Sequence, residues 1–142
     1  MNLFLDTSSL FKLYHIENDT PRMAELLANY SISQIALAEI AKIEFASIVW
    51  RKVRIKEFTE HEAKRICKRF ESDFAKYSFV PANTPMIKQA RNLIEKYGKQ
   101  GLRTLDSIQL ATAISLSGQC ELFVTSDKLL QSFFKQELLP VL

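Results

Sequence analysis

Short apolar runs alternate along this chain with longer stretches in which apolar residues recur at helical spacing. Leu3-Phe4-Leu5 stops abruptly at Asp6 and predicts a buried strand. Ser8 to about Glu17 is helical in pattern. Asp19-Thr20-Pro21 sets a short polar side chain before a Pro, which opens a second helix running to about Asn29. Tyr30–Ser33 predicts a second strand. From Ile35 to about Val53 the residues Ile35, Leu37, Ile40, Ile43, Phe45, Ile48 and Val49 mostly keep helical spacing. Thr59-Glu60-His61-Glu62 has the form of a capping box, and the helix it opens should reach about Tyr77 with Ala63, Ile66, Phe70 and Phe74 on one face.

Ser78-Phe79-Val80 predicts a third strand, and Thr84-Pro85 a helix that closes near Gly98 or Gly101. Arg103–Ser117 is a strongly apolar helix ended by Gly118. Leu122–Thr125 is a strand, Ser126–Lys135 a helix, and Leu138–Leu142 a last strand. Short apolar strands alternating with helices mean an α/β fold built on a central, mainly parallel sheet.

Composition narrows the class. The 142 residues are 47% hydrophobic and 25% charged, which suits one packed domain spanning 1–142 rather than a disordered tail. Cys67 and Cys120 are far apart and lack any CxxC spacing, so a disulfide framework and a thiolate zinc site are both unexpected. His15 and His61 are too few for an imidazole-rich metal site and read as surface residues. No apolar run is long enough to span a bilayer, and no secretory signal is evident, so a cytoplasmic protein is expected.

Four acids carry the candidate chemistry. Asp6 and Asp127 follow predicted strands, at the sheet edge where α/β proteins gather their ligands. Asp106 lies in the first turn of an apolar helix, and Glu44 among Ile43, Phe45, Ala46 and Ile48. Taken singly, each has an ordinary explanation: a turn or helix cap for a strand-end Asp, a dipole partner for Asp106, a lysine pair for Glu44. Together, four carboxylates in apolar surroundings suggest one shared partner, because an isolated buried charge is expensive.

Three segments sharpen this. Asp6-Thr7-Ser8-Ser9-Leu10, Gly101 through Ala113 and Phe123-Val124-Thr125-Ser126-Asp127-Lys128-Leu129 together resemble PIN-domain ribonucleases, and within them the VapC-type toxins of toxin–antitoxin pairs. The resemblance runs over almost the whole chain in order and spacing. It implies a three-layer α/β/α domain whose acidic pocket binds Mg²⁺ or Mn²⁺ and hydrolyses RNA. Its first, third and fourth acids fall on Asp6, Asp106 and Asp127. The second falls on Glu44, with Ser47 and Arg51 following at the family's spacing, while Glu39 offers a competing alignment. In one continuous helix, five residues would turn about 500°, so only one of the two glutamates could reach the pocket. Ser8, Thr125 and Ser126 are candidate water or metal contacts beside the acids.

Hard carboxylate oxygens without thiols or imidazoles suit Mg²⁺ or Mn²⁺ over zinc. Such an ion would lower the pKa of a bound water and neutralise charge on the leaving oxygen, so no nucleophilic side chain is needed. The net charge of +3 decides nothing, but Arg51, Lys52, Arg54 and Lys56 cluster after Glu44, and Lys64, Arg65, Lys68 and Arg69 on the next helix. Arg51, Arg54 and Arg103 are the expected RNA phosphate contacts. Leu10, Phe11, Leu13, Tyr14 and Ile16 of the Ser8–Glu17 helix and Phe133-Phe134 should mostly be core, and an exposed remainder would suit an antitoxin peptide or a homodimer seam. Trp50 should anchor packing beneath the basic segment. A non-catalytic RNA-binding or interaction module, or a nuclease outside any toxin pair, stays open. An aspartyl-phosphate phosphatase is disfavoured because Ser8 stands where its second Asp would be.

Overall fold

The structure is a computed structural model that describes residues 1–15 and 20–142. Four strands, β1 (Asn2–Leu5), β2 (Gln34–Ala38), β3 (Tyr77–Val80) and β4 (Leu122–Val124), form one all-parallel sheet in the order β3-β2-β1-β4. Between and after them run α1 (Thr7–Phe11), α2 (Thr20–Asn29), α3 (Ala41–Arg54), α4 (Glu60–Ser72), α5 (Thr84–Tyr97), α6 (Thr104–Ser115) and α7 (Lys128–Gln136).

Alternation along the strands sorts the helices into two layers. Leu3, Leu5, Leu37 and Val124 face one core, shared with Leu10, Phe11, Phe45, Val49, Ile66 and Phe70 of α1, α3 and α4. Phe4, Ala36 and Phe123 face the other, packed by Leu93, Leu110, Ala113, Leu130, Phe133 and Phe134 of α5, α6 and α7. Phe4 is wholly buried and touches the rings of both Phe123 and Phe134. This is the expected three-layer α/β/α arrangement. With β1 central, its carboxyl end lies beside that of β4, where Leu5 pairs with Val124. The next residues, Asp6 and Thr125, are thereby brought side by side.

Local signals explain several ends. Thr59 and Glu62 form the reciprocal capping box of α4, and Asn83 caps α5 by accepting from the Met86 N–H at 3.1 Å. Gly101, at φ +104, turns the chain out of the 3₁₀ turn Gly98–Gln100. A Cβ there would also stand 3.3 Å from Leu129.

Several sequence expectations are displaced. The predicted Tyr30–Ser33 strand is a connection, and the real strand occupies Gln34–Ala38, inside what periodicity assigned to a helix from Ile35. A short apolar run paired on both sides by neighbouring strands has no periodicity that separates it from a helix. The helix begun at Thr59 ends at Ser72, since Tyr77 pairs with Ile35 in β3. The α1 helix stops at Phe11, with turns as far as Tyr14; Ile16, Glu17 and the Asp19 cap lie outside the described residues. Leu138–Leu142 makes only one bridge, Val141 to Phe123.

Most of the apolar residues singled out are core, as expected: Leu10, Phe11, Tyr14, Phe133 and Phe134 are all buried in the two cores, and Leu13 packs partly buried against the first. Trp50 packs half-buried against the first core, as expected. His15 is less of a surface residue than expected: its ring packs against Phe11 and Phe58.

Candidate active site

Asp6 ends β1 in an extended conformation and becomes the N-cap of α1. Its backbone N–H still bonds to the Val124 carbonyl at 3.2 Å, which locks it to β4. Its carboxylate accepts from the Ser9 N–H at 3.0 Å, from the Ser8 hydroxyl at 2.9 and 2.8 Å, and from the Thr125 hydroxyl at 2.6 Å. Only 4% of the residue is exposed. Burial pushes its pKa above the ordinary carboxylate value, and the bonds from Thr125, Ser9 and Ser8 pull in the opposite direction.

Glu44 comes from the first turn of α3 and reaches the same edge of the sheet. Its Oε1 accepts from the Thr7 hydroxyl at 3.0 Å and from Gln109 Nε2 at 2.8 Å. Gln109 Nε2 also donates to Thr7 Oγ1 at 3.0 Å, which closes a triangle between α1, α3 and α6. Burial raises the Glu44 pKa; the two bonds oppose that, while the charges of Asp6 and Asp106 raise it further. Asp106, half-buried in the first turn of α6, is likewise raised by burial, then by Asp127 and Asp6, with Arg103 acting against them. Asp127 caps α7 by accepting from the Leu130 N–H at 2.9 Å, and its own N–H donates to Thr125 Oγ1 at 3.0 Å. One hydroxyl, that of Thr125, thus ties Asp6 to the turn that carries Asp127.

The four predicted acids come from different parts of the chain to the carboxyl edge of the sheet, where the charges of Asp6 and Asp106 act on Glu44 and those of Asp127 and Asp6 act on Asp106. Two pockets make up this candidate cleft: Glu44, Arg103 and Asp106 line one; Ser8, Lys12, Ile48, Ser126 and Asp127 line the other. Ser8 and Thr125 both donate to the Asp6 carboxylate, and the Ser126 N–H donates to Ser8 Oγ at 3.2 Å. Glu39 does not join them. It follows β2 before α3 begins, so the two glutamates do not share one continuous helix, and its exposed carboxylate pairs with Lys42 at 3.8 Å.

The expected basic contacts divide. Arg103 lies at the cleft. Arg51 and Arg54 are exposed in the last turn of α3. Seven residues of helix carry Arg51 about 10 Å along the axis from Glu44, on nearly the same face. Lys52 pairs with Glu57 at 2.9 Å, and Arg69 donates to the Tyr14 carbonyl at 3.2 Å, so both are tied into the scaffold. Sequence reasoning passed over Thr7, Ser9 and Gln109 as functional residues. Gln109 had a readable signal: it is a polar residue three positions after Asp106 in an apolar helix, hence a neighbour on the helix surface.

Among the described residues, no three carboxylates, thiols or imidazoles are drawn together closely enough to grip an ion. The donor chemistry nevertheless fits a divalent cation. Carboxylates and hydroxyls are hard ligands; burial raises the pKa of Asp6, Glu44 and Asp106, and neighbouring carboxylates raise the last two further.

Solved structures share this fold, and three illustrate the likeness. VapC20 of Mycobacterium tuberculosis, described as a sarcin–ricin loop cleaving toxin, has a TM-score of 0.70 at 11% identity, covering 92% of this chain and 93% of that one. FitAcB from Neisseria gonorrhoeae also has a TM-score of 0.70, at 18% identity, with 98% and 95% covered. VapBC2 from Rickettsia felis, bound to a DNA fragment from its promoter, has a TM-score of 0.65 at 14% identity, with 100% and 98% covered. Among curated proteins, none matches the chain by sequence. The family model of the PIN domain matches residues 3–133, a span that takes in all of the sheet but Asn2 and all four of these acids, and the chain therefore belongs to the PIN-domain family.

Proposed function

We propose that this chain is a divalent-metal-dependent endoribonuclease and the toxin of a toxin–antitoxin pair. The supporting observation is the cleft itself. Asp6, Glu44, Asp106 and Asp127 arrive from four places in the chain; burial raises Asp6, Glu44 and Asp106, and the charges of neighbouring carboxylates raise Glu44 and Asp106 further. Carboxylates that repel one another across a low-dielectric site are offset by a bound cation.

The four acids would hold Mg²⁺ or Mn²⁺, which when bound lowers the pKa of a water and neutralises charge on the leaving oxygen. The chain's own residues do the positioning. Ser8, Ser9 and Thr125 fix the Asp6 carboxylate in one orientation. Thr7 and Gln109 hold Glu44 opposite. Arg103, beside Asp106, presents a guanidinium suited to a phosphate oxygen. Arg51 and Arg54, farther along α3, would track the backbone of the strand entering the cleft.

The toxin role is supported by the three family-like segments and by structural neighbours that are themselves toxins or toxin–antitoxin complexes. An antitoxin polypeptide and a second copy of this chain are the proposed protein partners, and the cytoplasm the proposed place of action. Among the described residues, no helix is long and apolar enough to cross a membrane. The test is cleavage of a single-stranded RNA by the purified protein. Cleavage should require Mg²⁺ or Mn²⁺, stop on chelation and fall about a thousandfold in Asp106→Asn, roughly 4 kcal/mol of transition-state stabilisation. Cleavage that survives both chelator and substitution would contradict the reading.

A further inference from the structure

We propose that Gln109 is a positioning residue that sets the orientation of Glu44 for a divalent cation; the proposal rests on the metal-dependent reading of the cleft. Gln109 is 1% exposed in the middle of α6, so it acts on a ligand only through a neighbour. Its Nε2 donates to Glu44 Oε1 at 2.8 Å and to Thr7 Oγ1 at 3.0 Å, while Thr7 donates to the same Glu44 oxygen at 3.0 Å. Both donors thus gather on Oε1, and Oε2 is left outside the triangle.

The other end of the amide shows what this arrangement serves. Gln109 Oε1 is fully buried and has no hydrogen-bond partner among the described residues. A glutamine kept only for packing would have both ends paired, because nearly all buried polar atoms are. Turning the amide over would set its carbonyl against the Glu44 carboxylate and remove the donor to Thr7. The side chain instead commits both amide hydrogens to the Thr7–Glu44 pair and leaves its own carbonyl unpaired. Asp106 lies three residues earlier on the same helix, so one rigid element presents one acid directly and steadies another.

Gln109→Met keeps the length and volume while deleting the donor. The readout is Mn²⁺ affinity of the RNA-free protein, by calorimetry or electron paramagnetic resonance, beside a melting curve. Gln109→Met should weaken Mn²⁺ about tenfold, as loss of a group that orients a metal ligand does, with Tm nearly unchanged. Glu44→Gln should also weaken Mn²⁺, and Gln109→Met added to it should cause no further loss. Thr7→Val should weaken binding and Thr7→Ser should restore it.

A second, multiplicative loss in the Glu44→Gln background would show a general packing role and overturn the proposal. So would wild-type affinity in Gln109→Met. Should Gln109→Met fail to fold, the Thr7 pair decides, and equal affinity in Thr7→Val and Thr7→Ser refutes the idea. Unchanged affinity in Glu44→Gln alone is a different result: it would remove Glu44 from the metal site and take this inference with it.

Discussion

Glu137 and Asp73 belong to the scaffold, Asp6 and Glu44 to the cleft, and the protein surrounds the two pairs in opposite ways. Glu137 bonds to the Lys96 ammonium at 2.7 Å and to the Tyr97 hydroxyl. Burial alone would raise its pKa, yet Lys96 and Tyr97 outweigh it and the value is lowered. Asp73 is lowered by Lys76, at 2.9 Å, and by the Tyr14 hydroxyl, at 2.8 Å. Both scaffold acids meet one cation and one phenol. In the cleft the bonds to Asp6 and Glu44 come from hydroxyls, an amide and a backbone N–H, and both acids are raised. A carboxylate used as a fastener is given its counter-charge within the fold. On the proposed reading, one held for an external cation is given direction without neutralisation.

Substitution within the cleft should show the largest effect. Glu44→Gln is nearly isosteric and removes one charge from a repulsive group, so the fold should persist. Metal affinity and RNA cleavage should fall together, cleavage by at least about a hundredfold, or roughly 3 kcal/mol. Glu39→Gln, on the exposed pair with Lys42, should leave both near wild type. Cleavage assays with calorimetry on the two variants check this, and the reverse ranking would shift the site by five residues.

A scaffold substitution should do the opposite. Glu137→Gln loses a charge-assisted bond and should destabilise the protein by about 2 kcal/mol, seen as a Tm lower by roughly 5–8 °C. Its Mn²⁺ affinity should not change. A fall in metal affinity at an unchanged Tm would break the distinction between the two kinds of acid.

The smallest effect should come from the basic segment beyond the cleft. Arg51→Ala with Arg54→Ala should weaken single-stranded RNA binding about tenfold and flatten the slope of log affinity against log salt by about 1.4, two phosphate contacts' worth. An unchanged slope would make these arginines a solvated helix face.

Much of this site was legible before the fold was known, because strand ends and helix first turns are marked by local residues. Asp6 after Leu5, Asp127 after Val124-Thr125 and Asp106 after Arg103 needed no long-range information. The β2 strand was not legible, since Ile35-Ala36-Leu37-Ala38 is short, apolar and buried between β1 and β3. Nor was the reason for choosing Glu44, which depends on where that strand ends and α3 begins. The pairing of Gln109 with Thr7 and Glu44 joins residues 102 and 65 positions apart, a separation no local pattern encodes. The apolar residues of α1 and α7 were legible as core, because both sheet faces need covering and Leu10, Phe11, Phe133 and Phe134 cover them.

The most direct test of uncompensated cleft acids is thermal melting across pH, with and without Mn²⁺. Asp6, Glu44 and Asp106 have raised folded-state values, so their stabilising contribution is complete below the ordinary carboxylate range and is lost as pH rises through those values. Asp73 and Glu137 are lowered, and their contribution disappears only as pH falls below about 4. Above the ordinary carboxylate range the cleft acids therefore govern the metal-free curve. Mn²⁺ should raise Tm little near the ordinary carboxylate range and increasingly as pH rises to neutrality, by about 2.7 kcal/mol at a hundredfold excess over Kd, and Asp6→Asn should abolish most of that gain. A Mn²⁺ effect that is absent, or the same at every pH and in Asp6→Asn, would contradict the account.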